Sequence, residues 1–295
     1  MRIRRTLGDR IFDTANVILQ ALFCLTILYP LIYVISLSLS DSNAIGTGGI
    51  RLLPSGFTFD AYKMVLWSQT VKWGFANTLW RTLTGTSLSL LLGVCTAYPL
   101  SKKGLPHRGL FTTMIVFTMF FSGGLVPTYL IISGLGLINN RWVLVLPMLF
   151  SAYNLVIMRN SFMALPEDME ESARIDGAND IVILFRIIVP VSLPIIATVG
   201  LWVAVAHWNA WFDSMIYIRD LDKQVLQMQL RKLVIELSDA QMQQTMKQMA
   251  SVNSKYSSES VKMAMIVVTM LPIMAVYPFI QRFFVKGIMV GALKG

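Results

Sequence analysis

Long apolar runs separated by short polar stretches dominate this chain, and the runs have the length of membrane-crossing helices. About 20 apolar residues in a helix cross the hydrocarbon core of a bilayer. Such runs fall at about Ala15–Leu39, Leu79–Leu100, Leu110–Ile132, Trp142–Met163, Ile183–Trp208 and Val261–Phe284. They predict six spans within residues 15–284, with a short segment 1–14 before them and a tail 285–295 after them. Two larger polar pieces separate the runs. One, Asp41–Thr78, begins with Gly46, Gly48 and Gly49. The other covers about 213–260, and its Leu226, Leu230, Leu233 and Leu237 form one apolar stripe of a polar helix.

A third polar stretch is short and sits between the fourth and fifth runs. Leu165–Pro194 reads as a helix, a turn and a second helix, with the hairpin proper at 165–186. Pro166 suits a first helical position, where a missing N–H costs nothing. Glu167, Asp168, Glu170 and Glu171 follow, where the helix dipole favours negative charge. Leu165, Met169 and Ala173 recur at fourfold spacing and give one apolar face. Gly177 can turn with positive φ, and Asn179 or Asp180 can cap the next helix. Ile181, Phe185 and Ile188 are expected on one face of that second helix.

Composition agrees with a membrane protein. The chain of 295 residues is 55% hydrophobic and 14% charged, with mean hydropathy +0.61, against about 25% charged for a soluble domain. The net charge of +9 comes from basic residues flanking the apolar runs, so topology explains it better than nucleic acid. The head (Arg2, Arg4, Arg5, Arg10), the short loop with Lys102, Lys103 and Arg108, and the tail (Arg282, Lys286, Lys294) fall on one side. The positive-inside rule makes that side, with both termini and the hairpin, cytoplasmic. Cys24 and Cys95 lie within apolar runs and read as buried small residues. No Gly-Lys pair occurs, so no phosphate-binding loop of the Walker type is present.

The hairpin residues carry a resemblance. Glu171-Ser172-Ala173, three residues, Gly177, nine residues, then Ile187-Ile188-Val189-Pro190 resembles the EAA signature of ABC importer permeases, roughly E-A-A-x3-G-x9-I-x-L-P. Asp176-Gly177-Ala178 resembles its carbohydrate form. Ser172 replaces the middle Ala and Val189 the Leu. The end of the chain, with Gly287, Gly291, Lys294 and Gly295, is similar to the tail of maltose-type permeases of the second-subunit kind. A Trp208-Asn209 pair after the fifth run adds to the likeness, and the branch resembled is that of alginate and pectin-oligosaccharide importers.

The resemblance implies an all-α polytopic membrane protein: a MetI-like ABC importer permease fold with six transmembrane helices and a cytoplasmic coupling-helix hairpin. It implies residence in a bacterial cytoplasmic (inner) membrane and four kinds of partner besides the lipid bilayer. These are a second homologous permease, two copies of an ABC ATPase, an extracytoplasmic solute-binding protein, and the imported oligosaccharide. ATP and Mg would be bound by the ATPases, with no cofactor, metal or catalytic residue in this chain. Glu171, Ala173, Asp176, Gly177, Ala178 and Pro190 would couple to the ATPase, and Gly291, Lys294 and Gly295 would dock the tail on it. The segment 213–260 either packs on the chain's own outer face or receives the binding protein.

Span centres are almost free of charge, which argues against an ion pump. Tyr129, Tyr153, Asn154, Trp202, Trp208 and Asn209 are the candidate lining of a sugar pathway, because rings stack on sugars and amides bond to hydroxyls. An interfacial aromatic belt or helix–helix contacts explain the same residues. A permease for another solute, a channel or structural subunit without ATP, and a membrane-embedded enzyme are the alternatives. The last lacks the acids, histidines or metal ligands that it would need.

Overall fold

The computed structural model describes residues 7–41, 52–236 and 257–292. All regular structure among them is helical. In chain order the helices are α1 (Leu7–Ser38), α2 (Asp60–Trp67), α3 (Gln69–Ser101), α4 (Arg108–Phe120) and α5 (Leu125–Gly134). Two 3-10 turns, Arg141–Leu144 and Leu146–Met148, lead into α6 (Ala152–Met163). Then come α7 (Asp168–Ile175), α8 (Asp180–Val191), α9 (Leu193–Asn209), α10 (Phe212–Tyr217), α11 (Leu226–Arg231) and α12 (Ser258–Ala292).

Among the described residues, three helices are long and apolar enough to cross a bilayer by themselves: α1, α3 and the Glu259–Val276 portion of α12. Three further apolar stretches are bent pairs, at 114° between α4 and α5, 50° before α6, and 82° between α8 and α9. Counting each pair as one span gives up to six. Each bend has a local cause. Ser122-Gly123-Gly124 separates α4 from α5. Pro147 lies in the second 3-10 turn. The π turn Leu184–Ile188, with Pro190 and Pro194, lies at the third bend, and both features break the regular ladder.

Helix α3 starts at Gln69, ten residues before the apolar run itself. No proline lies between Gln69 and its last turn, so the helix runs on through the polar 69–78. The stretch Ile183–Val191, counted with the fifth span from its hydropathy, belongs instead to α8, before the 82° bend.

The chain divides into two compact units. One holds α1, α2 and the start of α12. There the Tyr62 and Ser38 hydroxyls lie 2.6 Å apart, the Thr58 N–H donates to Leu39 O at 2.9 Å, and Ser260 donates to Ser40 O at 3.4 Å. Ala61, Val65, Val261, Ala264 and Met265 are buried. Most of α1 is uncovered by the rest of the chain. A helix apolar on all sides and uncovered by its own chain is suited to lipid or a neighbouring subunit.

The second unit is built on α3, against which α6 and α9 pack. Val94, Ala97, Leu155, Met158, Phe162, Ile188, Val199 and Val203 belong to its core. Gly85 permits a close approach: a Cβ there would lie 2.4 Å from Nε2 of His207 on α9. Two expectations are corrected. Cys24 and Cys95 are exposed in this chain, because apolar runs of a membrane helix need not be covered by their own subunit. Ile181 and Phe185 point outward, while Ile183, Leu184 and Ile188 are buried. The π turn changes the register, so Ile188 does not share the face of Ile181 and Phe185 that a 3.6-residue count expects.

Candidate functional site

The elbow between α6 and α9 is built from its turn. After α7, the Gly177 N–H donates to Arg174 O at 3.0 Å and the Ala178 N–H to Ala173 O at 2.9 Å. This pair of bonds is a Schellman cap, which needs a left-handed residue at Gly177. Its φ is +83°. Ala173 and Ala178, joined by the second of these bonds, both pack on the core together with Leu165. Asp176 is the C-cap of α7. Asn179 caps α8, its side chain accepting from the Val182 N–H at 2.9 Å, and Arg174 pairs with Asp180 across the turn. The spacing from Ala173 through Gly177 to Ala178 is thus the spacing that closes the elbow on the core.

The acids of α7 and its entry divide into two sets. Glu170 binds Lys102 and also accepts from the Tyr98 hydroxyl at 3.3 Å. Glu167 binds Lys103 at 2.7 Å, and this bond and charge hold its carboxyl below the usual range. Lys102 and Lys103 follow the end of α3, so these pairs tie the elbow to the principal helix of the unit. Asp168, Glu171 and Asp176 instead face outward and form no ion pair among the described residues. Sequence reasoning placed the four acids but missed their lysine partners. The signal was the Lys-Lys loop on the same side as the acidic stretch.

A buried polar clamp lies at the other end of α3. Arg81 has no exposed surface. Its guanidinium grips both carboxylate oxygens of Asp213, donates to Ala210 O at 3.1 Å and reaches Nδ1 of His207 at 3.4 Å. With Nδ1 accepting, the His207 proton belongs on Nε2, which faces Gly85. One turn earlier, Asn77 donates to Asp222 O and Gln224 O at 2.6 and 3.0 Å. Thr78 accepts from the Leu226 N–H at 2.8 Å. The segment 210–229 is therefore fastened to α3 by side chains that replace water as hydrogen-bond partners. Arg81 escaped sequence reasoning because hydropathy put it at the edge of a span.

The residues proposed for a sugar pathway separate into three places. Tyr153 is exposed, with its ring 6.3 Å from Trp202, which packs on the core. Asn154, with Ser89 and Ser151, lines a small cavity between α3, α6 and α9. Tyr129 stacks at 5.9 Å on Tyr217 in a second hydrophobic cluster. Trp208 is buried edge-on against Phe75, and Asn209 is exposed, accepting from Gln227 at 3.3 Å. Pro190 is exposed on α8. Gly291 lies near the end of α12, whereas Lys294 and Gly295 lie outside the described residues, as do 237–256 of the outer segment.

A family model described as "Binding-protein-dependent transport system inner membrane component" matches residues 2–290. Protein LplC of Bacillus subtilis (strain 168) is 39% identical over 296 residues, covering 99% of this chain and 98% of that protein. The polygalacturonan/rhamnogalacturonan transport system permease protein YtcP of the same organism is 38% identical, covering 97% and 99%. A chain of a bacterial ABC transporter involved in the import of the acidic polysaccharide alginate has a similar structure. Its TM-score is 0.89 at 36% identity, covering 96% of this chain and 99% of that one.

Proposed function

This chain belongs to the family of binding-protein-dependent transport system inner membrane components, and on that premise we propose that it is the permease subunit of an ATP-driven oligosaccharide importer, with uronate-containing oligosaccharides as its cargo. The observation that carries the mechanism is the elbow: a capped turn closed on the core, with inner acids tied to α3 and outer acids that form no ion pair among the described residues. The support for acidic cargo is that two similar proteins serve acidic polysaccharides, one a polygalacturonan/rhamnogalacturonan transport permease and one a chain of an alginate importer.

In this reading the six apolar stretches each cross the bacterial cytoplasmic membrane, and both termini and the elbow face the cytoplasm. A second permease, two ABC ATPases and an extracytoplasmic binding protein complete the machine. ATP and Mg belong to the ATPases, and this chain performs no catalysis. The outward acids, Glu171 among them, meet basic groups of an ATPase, and Gly291, Lys294 and Gly295 dock nearby. Lys102 and Lys103 pass the displacement of α7 to α3. The clamp at Arg81 makes α3 and the segment 210–229 move together, so one rigid body joins the motor side to the substrate side. Tyr153, Asn154 and Trp202 line the pathway. Switching such a body nearly completely requires ATP to favour one state by about 5.5 kcal/mol.

Two experiments test this. In the reconstituted complex, ATP hydrolysis is expected to rise with binding protein loaded with oligogalacturonate or alginate oligomers, and not with neutral maltotriose. Stimulation by maltotriose alone would remove the acidic cargo. For transmission, Glu170→Lys is expected to lower stimulated hydrolysis about tenfold, since it breaks a partly exposed charge-assisted bond worth about 1–2 kcal/mol. The swap Lys102→Glu with Glu170→Lys is expected to restore most of it. A swap as inactive as the single variant would show that the pair transmits nothing.

A further inference from the structure

The cytoplasmic end of α3 holds two cations with no visible counter-charge. Arg108, the first residue of α4, donates through Nε to Leu100 O at 2.9 Å. Arg159 of α6 donates through Nε to the same oxygen at 3.1 Å. The two nitrogens therefore stand within about 6 Å of each other. Among the described residues neither arginine forms an ion pair. The neighbouring lysines are already engaged, Lys102 by Glu170 and Lys103 by Glu167.

One part of this arrangement has a simple cause. Leu100 lies in the last turn of α3, where unpaired carbonyls carry about half a negative charge. That attracts one cation. Two full positive charges exceed it, and their mutual repulsion at this separation calls for an anion. The remaining guanidinium N–H groups provide the donors for one, apart from the Arg108 Nη2 that reaches Met163 Sδ at 3.1 Å.

The surroundings identify its source. Leu110, Phe111 and Met114 project from one face of α4 and are exposed, as is Met163 of α6. Charged heads at the ends of apolar helices, with outward apolar side chains beside them, match an amphiphile rather than a free ion. We propose that Arg108 and Arg159 hold the phosphate of an anionic phospholipid headgroup, whose acyl chains lie along Leu110, Phe111 and Met114. The bound lipid neutralises the cation pair and holds together the ends of α3, α4 and α6, next to the loop that braces the elbow. This rests on the membrane placement given above and not on which solute is carried.

The test uses the complete complex in nanodiscs of phosphatidylcholine with or without cardiolipin, read by native mass spectrometry for retained anionic lipid. Wild type is expected to keep cardiolipin. An Arg108→Gln/Arg159→Gln variant is expected to keep it about thirtyfold less well, at about fivefold per cation. Arg108→Lys/Arg159→Lys, which preserves charge, is expected to stay close to wild type. For wild type alone, cardiolipin is expected to raise the melting temperature above that in phosphatidylcholine, a readout needing no variant. Equal retention by wild type and the Gln variant would overturn the proposal. Equal protection by inorganic phosphate in phosphatidylcholine discs would overturn the lipid as source. Loss of ATPase subunits from the Gln variant in those same discs would show that the cations face a partner protein instead. Lipid retention does not depend on the cargo, so failure of the oligosaccharide assay would leave this result unmoved.

Discussion

Asp213→Ala is expected to destabilise the permease by about 3–5 kcal/mol, because it leaves the Arg81 guanidinium buried without its counter-ion. Arg81 has no exposed surface, and its other partners are a carbonyl, a histidine nitrogen and a thioether. None of these carries the charge that Asp213 supplies. The sign of the double variant separates a charge effect from loss of packing. Arg81→Met with Asp213→Ala removes both charges and is expected to recover much of the lost stability, since replacing both partners is far cheaper than orphaning one. Thermal unfolding in detergent, followed by size-exclusion fluorescence, measures both. A single variant within about 1 kcal/mol of wild type would show that water reaches Arg81 and that the clamp is not dry. The functional consequence follows from position. With the clamp broken, α3 no longer carries the segment 210–229 with it, and hydrolysis should lose its response to loaded binding protein.

Gly177→Val is expected to abolish coupled hydrolysis while the chain still inserts in the membrane. The residue sits at φ +83°, and nothing lies within 4 Å of where a Cβ would be. Any defect is therefore conformational and not steric crowding. A β-branched residue resists this region most, alanine less, and asparagine least among non-glycine residues. The expected order of activity is Gly, Asn, Ala, Val, with alanine costing about 1–2 kcal/mol of elbow closure. Opening the turn removes the Ala178–Ala173 bond and pulls both alanines off the core. Activity of Gly177→Val equal to that of Gly177→Asn would mean that the Schellman cap is not what fixes α7.

The elbow was the most legible part of the chain. Its cap, its charge and its glycine are local signals, and each needs only a few neighbouring residues to read. The failures are non-local. Ile181, Phe185 and Ile188 do not share the face that their spacing predicts, because a π turn depends on the surrounding packing and leaves no reliable trace in spacing. Cys24 and Cys95 read as buried from sequence but are exposed, because hydropathy does not tell whether lipid or protein covers an apolar face. The partners Arg81 with Asp213 and Lys102 with Glu170 are separated by long stretches of chain, so no periodicity could join them. Arg81 was also disguised by its place at the edge of an apolar run, twelve residues inside a helix that starts in polar sequence. The sugar pathway was the least legible, since aromatic and amide residues serve belts, helix contacts and ligands alike. Of the six candidates, Tyr153, Asn154 and Trp202 lie around α6 and α9, and Trp208 is packed away on Phe75.

The central claim is that α7 meets an ATPase in the cytoplasm. Ile175, at the end of α7, is 87% exposed and is a suitable reporter once Cys24 and Cys95 are replaced by alanine. Ile175→Cys in right-side-out vesicles is predicted to resist a membrane-impermeant maleimide until the vesicles are opened, and to crosslink to the ATPase subunit in the assembled complex. Labelling from outside in sealed vesicles, with no crosslink, would contradict it.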